Sequence, residues 1–234
     1  MSSQENYASS IHDKFGQYRP VWYPTQQVRV GDILELDDSG TFNRVDNLAN
    51  YAPTSAFVAN VLTNPASVPI DFVSTAGVQL DTKASGATNS QFPAVPQANA
   101  AISVAFSDED DFMMYADAAT ETVLGNILAL QALLLNIHAA NQWQNNYIVA
   151  TKVLSTPLFS LLLSQTSNSS IQLSLNGTLS PTIPELGQAG VSYSLVQSRG
   201  AITRILGATN VTPLVGGMRL VPHFPSGERY LEYV

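Results

Sequence analysis

The stretch IQLSLNGTLS, Ile171–Ser180, alternates apolar Ile171, Leu173, Leu175 and Leu179 with Gln172, Ser174, Asn176, Thr178 and Ser180, and it carries no charge. Period-two alternation predicts a strand with one buried face. The dipeptide Asn176-Gly177 also suits a tight type I′ turn, which would divide the stretch into a short hairpin. Val191–Gln197 repeats the alternation, with Val191, Tyr193 and Leu195 on one side. Upstream, Leu158–Leu163, including Leu161 and Leu163, reads as extended chain after Pro157 interrupts a strand over Tyr147–Leu154.

Working outward, the whole span from Thr122 to Pro184 holds one formal charge, Lys152. A second region with the same character lies nearer the N terminus. Val78, Leu80, Thr82 and Ala84 alternate with Gln79, Asp81, Lys83 and Ser85. After the small, polar connection Gly86–Gln97, Ala101–Phe106 resumes the pattern with Ile102, Val104 and Phe106 on one face. Two extended hairpin regions are therefore predicted, Ile70–Phe106 and Leu161–Ser198. Between them an apolar pattern from about Asp110 to Ala139, interrupted near Gly125, predicts a helix whose start is complemented by Asp108, Glu109, Asp110 and Asp111. Apolar side chains cover well over half its circumference, which predicts a central core helix. Asn126, Gln131 and Asn136 interrupt it too often for the roughly 20 apolar residues that span a bilayer.

The flanks add shorter elements. Val28–Leu36, the turn Asp37-Asp38-Ser39-Gly40 and Thr41–Val45 form a hairpin in which the acidic pair serves turn chemistry. Phe57–Leu62 and Ile70–Val73 read as short strands, as do Ile202–Leu206, Val211–Val215 and Met218–Val221. Residues 1–18 read as a flexible N-terminal segment and 224–234 as a short polar tail. The expected architecture is a single α+β domain over 1–234: a twisted antiparallel β-sheet packed on a central apolar helix, with two extended hairpin regions.

Composition bounds the function. A net charge of -8, with ten basic residues scattered singly, argues against a nucleic-acid partner. The absence of cysteine excludes disulfides, thiol catalysis and cysteine metal sites. The opening MSSQENYASS lacks the blocks of a signal peptide, so a cytoplasmic protein is expected. His12, His138 and His223 fit no metal-ligand spacing, and no nucleophile elbow or phosphate-binding glycine motif occurs. No catalytic residue, metal or cofactor is assigned, and a non-enzyme is expected.

Uncharged segments alternating over about ten residues are what a transmembrane β-strand needs, with one face to lipid and one to a water-filled lumen. A soluble antiparallel sheet shows the same alternation. At VGDILELDDSG (Val30–Gly40), YIVATKVLSTPLFSLLLSQTSNSSIQLS (Tyr147–Ser174) and TPLVGGMRL (Thr212–Leu220), and in the order of its parts, the chain resembles the gasdermin family of pore-forming proteins. That resemblance implies a twisted sheet with two insertable hairpin regions separated by helical segments. It implies a protein held inactive in the cytoplasm, which then meets membrane lipid as a homo-oligomer after an activating protease or partner protein acts. The membrane-inserting residues would be Val78, Leu80, Ile102, Val104, Leu161, Leu163, Ile171, Leu173, Leu175, Leu179, Val191, Tyr193 and Leu195. Inhibition would fall to the tail around Tyr230, Leu231 and Tyr233, or to a partner. The chain departs from the family in lacking a cysteine for N-terminal lipidation and in being acidic. Two other classes stay open: a structural or self-assembling protein of virus or phage type, and a binder of a small apolar ligand beside Trp22, Trp143 and the central helix.

Overall fold

A computed structural model describes residues 2–21, 27–51, 60–82, 102–176, 192–222 and 226–234. In chain order its elements are α1 (Ser3–Phe15), β1 (Arg19–Pro20), β2 (Asp32–Leu36), β3 (Phe42–Asn47), a 3-10 turn (Leu48–Asn50), β4 (Val61–Val73), β5 (Val78–Thr82), β6 (Ile102–Phe106), β7 (Phe112–Leu124), α2 (Ile127–Ala139), β8 (Ile148–Ser164), β9 (Ser169–Asn176), β10 (Ser192–Arg199), β11 (Ile202–Pro222) and β12 (Arg229–Tyr233). The fold is α+β and mostly antiparallel strand. The chain divides into two compact units, one of Met1–Tyr7, Val68–Ala118 and Pro157–Thr209, the other of Ala8–Ser67, Ala119–Thr156 and Asn210–Val234. Strands β4, β7, β8 and β11 contribute residues to both.

In the second unit the strands run in the order β1-β11-β8-β2-β3, and β12 extends the β11 edge beyond β1. A single parallel bridge between Val21 and Phe42 ties the end of β1 back to β3, so the strand path closes on itself. Inside this ring lie Val21, Leu34, Phe42, Ile148, Ala150, Val153 and Val215. On the opposite face Ile33, Val149, Met218 and Leu220 pack with Trp143, Leu231 and the α2 residues Leu130, Leu134 and Ile137. Neighbours such as Ile33/Leu34 and Ile148/Val149 thus enter different cores, because successive strand side chains point to opposite faces. Both faces being covered explains why these strands read as unbroken apolar runs rather than as alternation.

Gly217 sits on the ring side of β11. A β-carbon there would lie 2.3 Å from Ile148 Cγ2 and 3.3 Å from the Val149 carbonyl oxygen. Because Ile148 is itself buried, it has little room to withdraw. Gly217→Ala is expected to cost about 1–3 kcal/mol through overpacking; an unchanged urea midpoint would contradict the close approach.

The β2–β3 turn is held by Asp37, whose carboxylate accepts from Ser39 N (3.0 Å), Thr41 N (2.9 Å) and Thr41 Oγ1 (2.7 Å). Partial burial pushes this carboxyl up, but the hydrogen bonds from Ser39, Thr41 and Asn43 together outweigh it and hold it below the ordinary value. A lowered folded value means stabilisation present above the unfolded carboxylate range, near pH 4, and lost as pH falls through the folded value. Asp37→Asn is expected to lower the melting temperature at pH 7 and to leave it less sensitive to acid below about pH 4. Equal acid sensitivity in both proteins would count against this.

In the first unit, β10-β9-β6-β5 form a separate four-stranded antiparallel sheet. Its buried Ile102, Val104, Phe106, Ile171 and Leu173 pack on Met113 and Tyr115 of β7, Leu162 of β8, and Ile202 and Leu206 of β11. This is a small sheet laid over the long strands.

The elements differ from sequence expectation in four places. The first residues are helical: Ser2 and Glu5 form a reciprocal cap, with Ser2 N donating to Glu5 Oε2 (2.5 Å) and Glu5 N to Ser2 Oγ (3.3 Å). Tyr7, Ala8 and Ile11 of this helix are buried, with the Tyr7 ring edge-on to Phe112 at 4.9 Å. The helix expected from Asp110 begins at Ile127, where Asn126 caps it by accepting from Ala129 N (3.1 Å). The preceding FMMYADAATETVL is strand β7, paired with β4 and β8; a short apolar run does not separate buried strand from buried helix. Only one face of α2 is covered, since Leu128 is 80% exposed and Ala129, Ala132 and Asn136 also face solvent. Finally, strands continue through prolines. Pro65 and Pro69 sit in β4, whose partner among the described residues is β7 alone, and their missing donors are tolerated on such an edge. Pro157 lies inside the 17-residue β8, and the three short strands expected after Ile202 are one 21-residue strand.

Candidate functional site

The two charge-poor hairpin regions meet in the four-stranded sheet. In the first hairpin Val78 pairs with Phe106, Leu80 with Val104 and Thr82 with Ile102. In the second, Tyr193 pairs with Leu175 and Leu195 with Leu173, and a bulge follows before Ser198 pairs with Ile171. The hairpins join through β6 and β9, where Ile102 faces Leu173 and Val104 faces Ile171. Two apolar rows therefore cross the sheet: Leu80, Val104 and Ile171 in one, and Ile102, Leu173 and Leu195 in the other. Each row is buried at its centre and opens at the edge, where Leu80 is 41% and Leu195 42% exposed. The opposite face carries Ser103, Ala105, Ser170, Gln172 and Ser174. Within the four strands Asp81 and Arg199 are the charged residues.

Val78 is partly buried against the same cluster. Leu175 and Tyr193 lie in the paired strands, whereas Leu179 and Val191 fall outside the described residues. Leu161 and Leu163 are not part of this sheet. They lie in β8, buried, and flank the Leu162 that supports the sheet from below. Among the described residues, the candidate inserting residues thus divide into members of one sheet and two core leucines of a supporting strand.

Sequence reasoning did not single out what fastens the base of the hairpins. Asp111 is 2% exposed and accepts from Thr75 Oγ1 (2.6 Å), Ser74 Oγ (3.1 Å) and Asp108 N (3.1 Å). Ser74 Oγ in turn accepts from Phe112 N (2.9 Å). The turn between β4 and β5 is thereby pinned to the turn before β7. Asp110 is held by α1, with Ser3 Oγ donating to its carboxylate and Asn6 Nδ2 to its carbonyl (3.0 Å). The expected helix start at these acidic residues is instead this fastening, and α2 begins at Ile127. A buried carboxylate facing a Ser-Thr pair 37 and 36 residues away leaves no local pattern to find.

The tail is an integral strand. β12 pairs with Met218–Pro222, Leu231 is buried in the cluster under α2, and Tyr230 and Tyr233 are 38% and 39% exposed. Lys152, the one formal charge of the quiet middle span, places its ammonium 5.2 Å from the Tyr233 ring centre. Arg219 and Glu232 form an exposed pair at 3.5 Å, the kind that contributes little. Of the aromatic pair considered for a ligand, Trp22 lies outside the described residues and Trp143 is core, edge-on to Tyr147 at 5.4 Å. His12 and His138 occupy different helices, and His223 is outside the described residues. Among the described residues no helix is long and apolar enough to cross a membrane.

These features define an α+β protein with two adjacent charge-poor hairpins set on a framework of long strands. No protein-family model matches the chain, and no curated protein matches its sequence. Among solved structures, a cryo-EM structure of the gasdermin A3 membrane pore aligns over 99% of this chain and 94% of that chain, with 8% identity and a TM-score of 0.35, a weak likeness of fold.

Proposed function

We propose that the protein is a pore former that is cytoplasmic until activated and performs no covalent chemistry, and that β5–β6 and β9–β10 are its membrane-inserting hairpins. The observation that carries this reading is the single sheet into which both charge-poor hairpins fall, apolar on one face and mainly uncharged polar on the other, with Asp81 and Arg199 its charged residues and with β5 and β10 as edge strands, each paired on one side alone among the described residues. Because the sheet has four antiparallel strands, β10 of one copy set beside β5 of an equally oriented neighbour continues the antiparallel order. Rotational repetition of that step closes a barrel.

In the soluble state the apolar face is sheltered by Met113, Tyr115, Leu162, Ile202 and Leu206. Each buried side chain of this kind contributes about 1.5–3 kcal/mol, so the hairpins leave this cover only when lipid replaces it. Burial of Leu231 makes β12 the candidate restraint, released by cleavage or by a partner. Incubating the intact chain, and one lacking residues 229–234, with dye-filled liposomes tests the proposal: release by the trimmed chain is expected, and no release by either across lipid compositions would overturn it.

The exposed edge residues Leu195 and Val196 also favour a second reading, lipid-free self-assembly through the same edges. Light scattering separates the two. Spontaneous growth of large particles without lipid favours a structural protein, and a stable monomer favours the pore former.

A further inference from the structure

We propose that a cleft beside β3 binds a small zwitterion, a phosphate ester carrying an ammonium group a few bonds away, either free or as a lipid headgroup. The cleft measures about 430 Å³, opens to solvent, and is lined by Gln27, Arg44, Val45, Asp46, Asn47 and Asn50. All six lie in the second unit.

The site begins with a register shift. Ile33 pairs with Asp46 but Leu34 with Arg44, so Val45 is an extra residue in β3. Such a bulge re-aims the side chains beside it. Arg44 and Asp46 then flank the cleft with opposite charges, and each is fastened to its own partner rather than to the other. Arg44 is oriented by Asp32, a carboxylate only 2% exposed, through a 3.0 Å contact at Nε. Asp32 is itself fixed by Arg29 N (2.8 Å) and Asn47 Nδ2 (2.6 Å). Holding a guanidinium by Nε leaves the edge made by its two terminal nitrogens as a fork, and among the described residues neither has a hydrogen-bond partner. A fork of this kind takes two oxygens of a phosphate at once.

Asp46 is arranged as the complementary half. Its Oδ1 accepts from Asn47 N (2.8 Å) and Asn50 Nδ2 (2.5 Å), and its Oδ2 from Tyr51 OH (3.3 Å). The Asn47 backbone and Asn50 side-chain hydrogen bonds lead the groups that hold this carboxyl below its ordinary value, so it stays ionised at neutral pH. Its remaining lone pairs suit an ammonium. Gln27 donates its amide to Asn210 O (3.0 Å), which leaves its own oxygen as a further acceptor at the rim. A fixed cation, a fixed anion and a neutral acceptor around one cleft match a molecule that carries both charges better than either a simple anion or a simple amine.

Isothermal titration of the full chain with ethanolamine phosphate, inorganic phosphate and ethanolamine tests the assignment. Ethanolamine phosphate is expected to bind about tenfold or more tightly than either half alone. Asp46→Asn should reduce it to the affinity of inorganic phosphate, and Arg44→Gln should abolish both. Since Arg44→Gln also leaves Asp32 without its cation, Val45→Trp is the second variant: it fills the cleft, keeps both charges, and is expected to lose binding with an unchanged melting temperature. Flotation with phosphatidylethanolamine vesicles then assigns the source. Retention that is lost in Val45→Trp makes the ligand a headgroup, and binding of the soluble ester without vesicle retention makes it a free metabolite. Ethanolamine phosphate binding no tighter than inorganic phosphate, or surviving Val45→Trp, overturns the proposal. Dye release by the trimmed chain does not depend on this cleft, so either proposal can fail alone.

Discussion

Replacing Leu80 and Leu195 by lysine is expected to leave the soluble fold intact and to abolish dye release from liposomes. Both leucines lie on the apolar face of the hairpin sheet but at its two edges, where they are 41% and 42% exposed. A lysine there lays its aliphatic stem along the sheet and keeps its ammonium in water. The soluble protein should lose no more than about 1 kcal/mol. In a barrel the same positions face lipid. A lysine near the midplane of a lipid-facing strand costs about 2–4 kcal/mol, and every copy in the ring would carry two. Release should therefore fall by at least about tenfold while the melting curve hardly moves. Ser170→Lys is the control, because Ser170 lies on the opposite face, in register with Ala105 and Arg199. It should retain release. Equal release by both sets of variants would mean that this face never meets lipid.

The second large effect is expected at Leu231, for which Leu231→Ala should both destabilise the intact chain and raise its dye release. Leu231 is 9% exposed and packs in the cluster that holds Leu130, Leu134, Ile137 and Trp143. Truncating a buried leucine costs about 2–5 kcal/mol, and near the lower end where the cavity opens toward solvent. β12 has five residues and pairs only with β11 among the described residues, and Leu231 is its one buried side chain. The loss should appear as fraying of this edge strand before global unfolding. Tyr233→Ala, which removes an exposed ring and its contact with Lys152, should change stability by no more than about 1 kcal/mol and leave release unaltered. A Leu231→Ala protein that melts earlier yet releases no more dye would make β12 a structural strand and not a restraint.

Much of the hairpin sheet was legible in the sequence because its chemistry is local. One face of each strand is covered and the other is polar, so Ile102, Val104, Ile171 and Leu173 print their burial as period-two alternation. Of the long framework strands, β8 and β11 were legible only as shorter pieces of strand, and β7 was not legible at all. Where both faces of β7 are covered, as at Phe112–Ala116, alternation vanishes and the run resembles a buried helix. The apparent strand ends were also misleading. Pro157 begins a segment of the first unit, and Ala118 and Asn210, both at positive φ, stand at other boundaries between the units. These residues mark local irregularities inside strands that continue past them. The N-terminal helix did leave a signal: Ser2 and Glu5 have capping-box spacing, and Tyr7, Ala8, Ile11 and Phe15 recur at helical intervals, so the polar surroundings masked a readable pattern. The Asp111 fastening and the Asp32–Arg44 anchor left none, since their partners are assembled by the fold.

The central claim is that the apolar face of β6 and β9 exchanges protein for lipid, and the absence of cysteine makes it directly measurable. Single cysteines at Val104, Ile171, Gln172, Leu173 and Ser174 can each carry a polarity-sensitive fluorophore, read in solution and then in liposomes whose acyl chains bear a quencher. The account predicts that labels at 104, 171 and 173 become quenched by the lipid-borne group once the tail is removed, while those at 172 and 174 stay accessible to a water-soluble quencher. Labels that remain unquenched by lipid at all five positions, with the emission they show in solution, would contradict it.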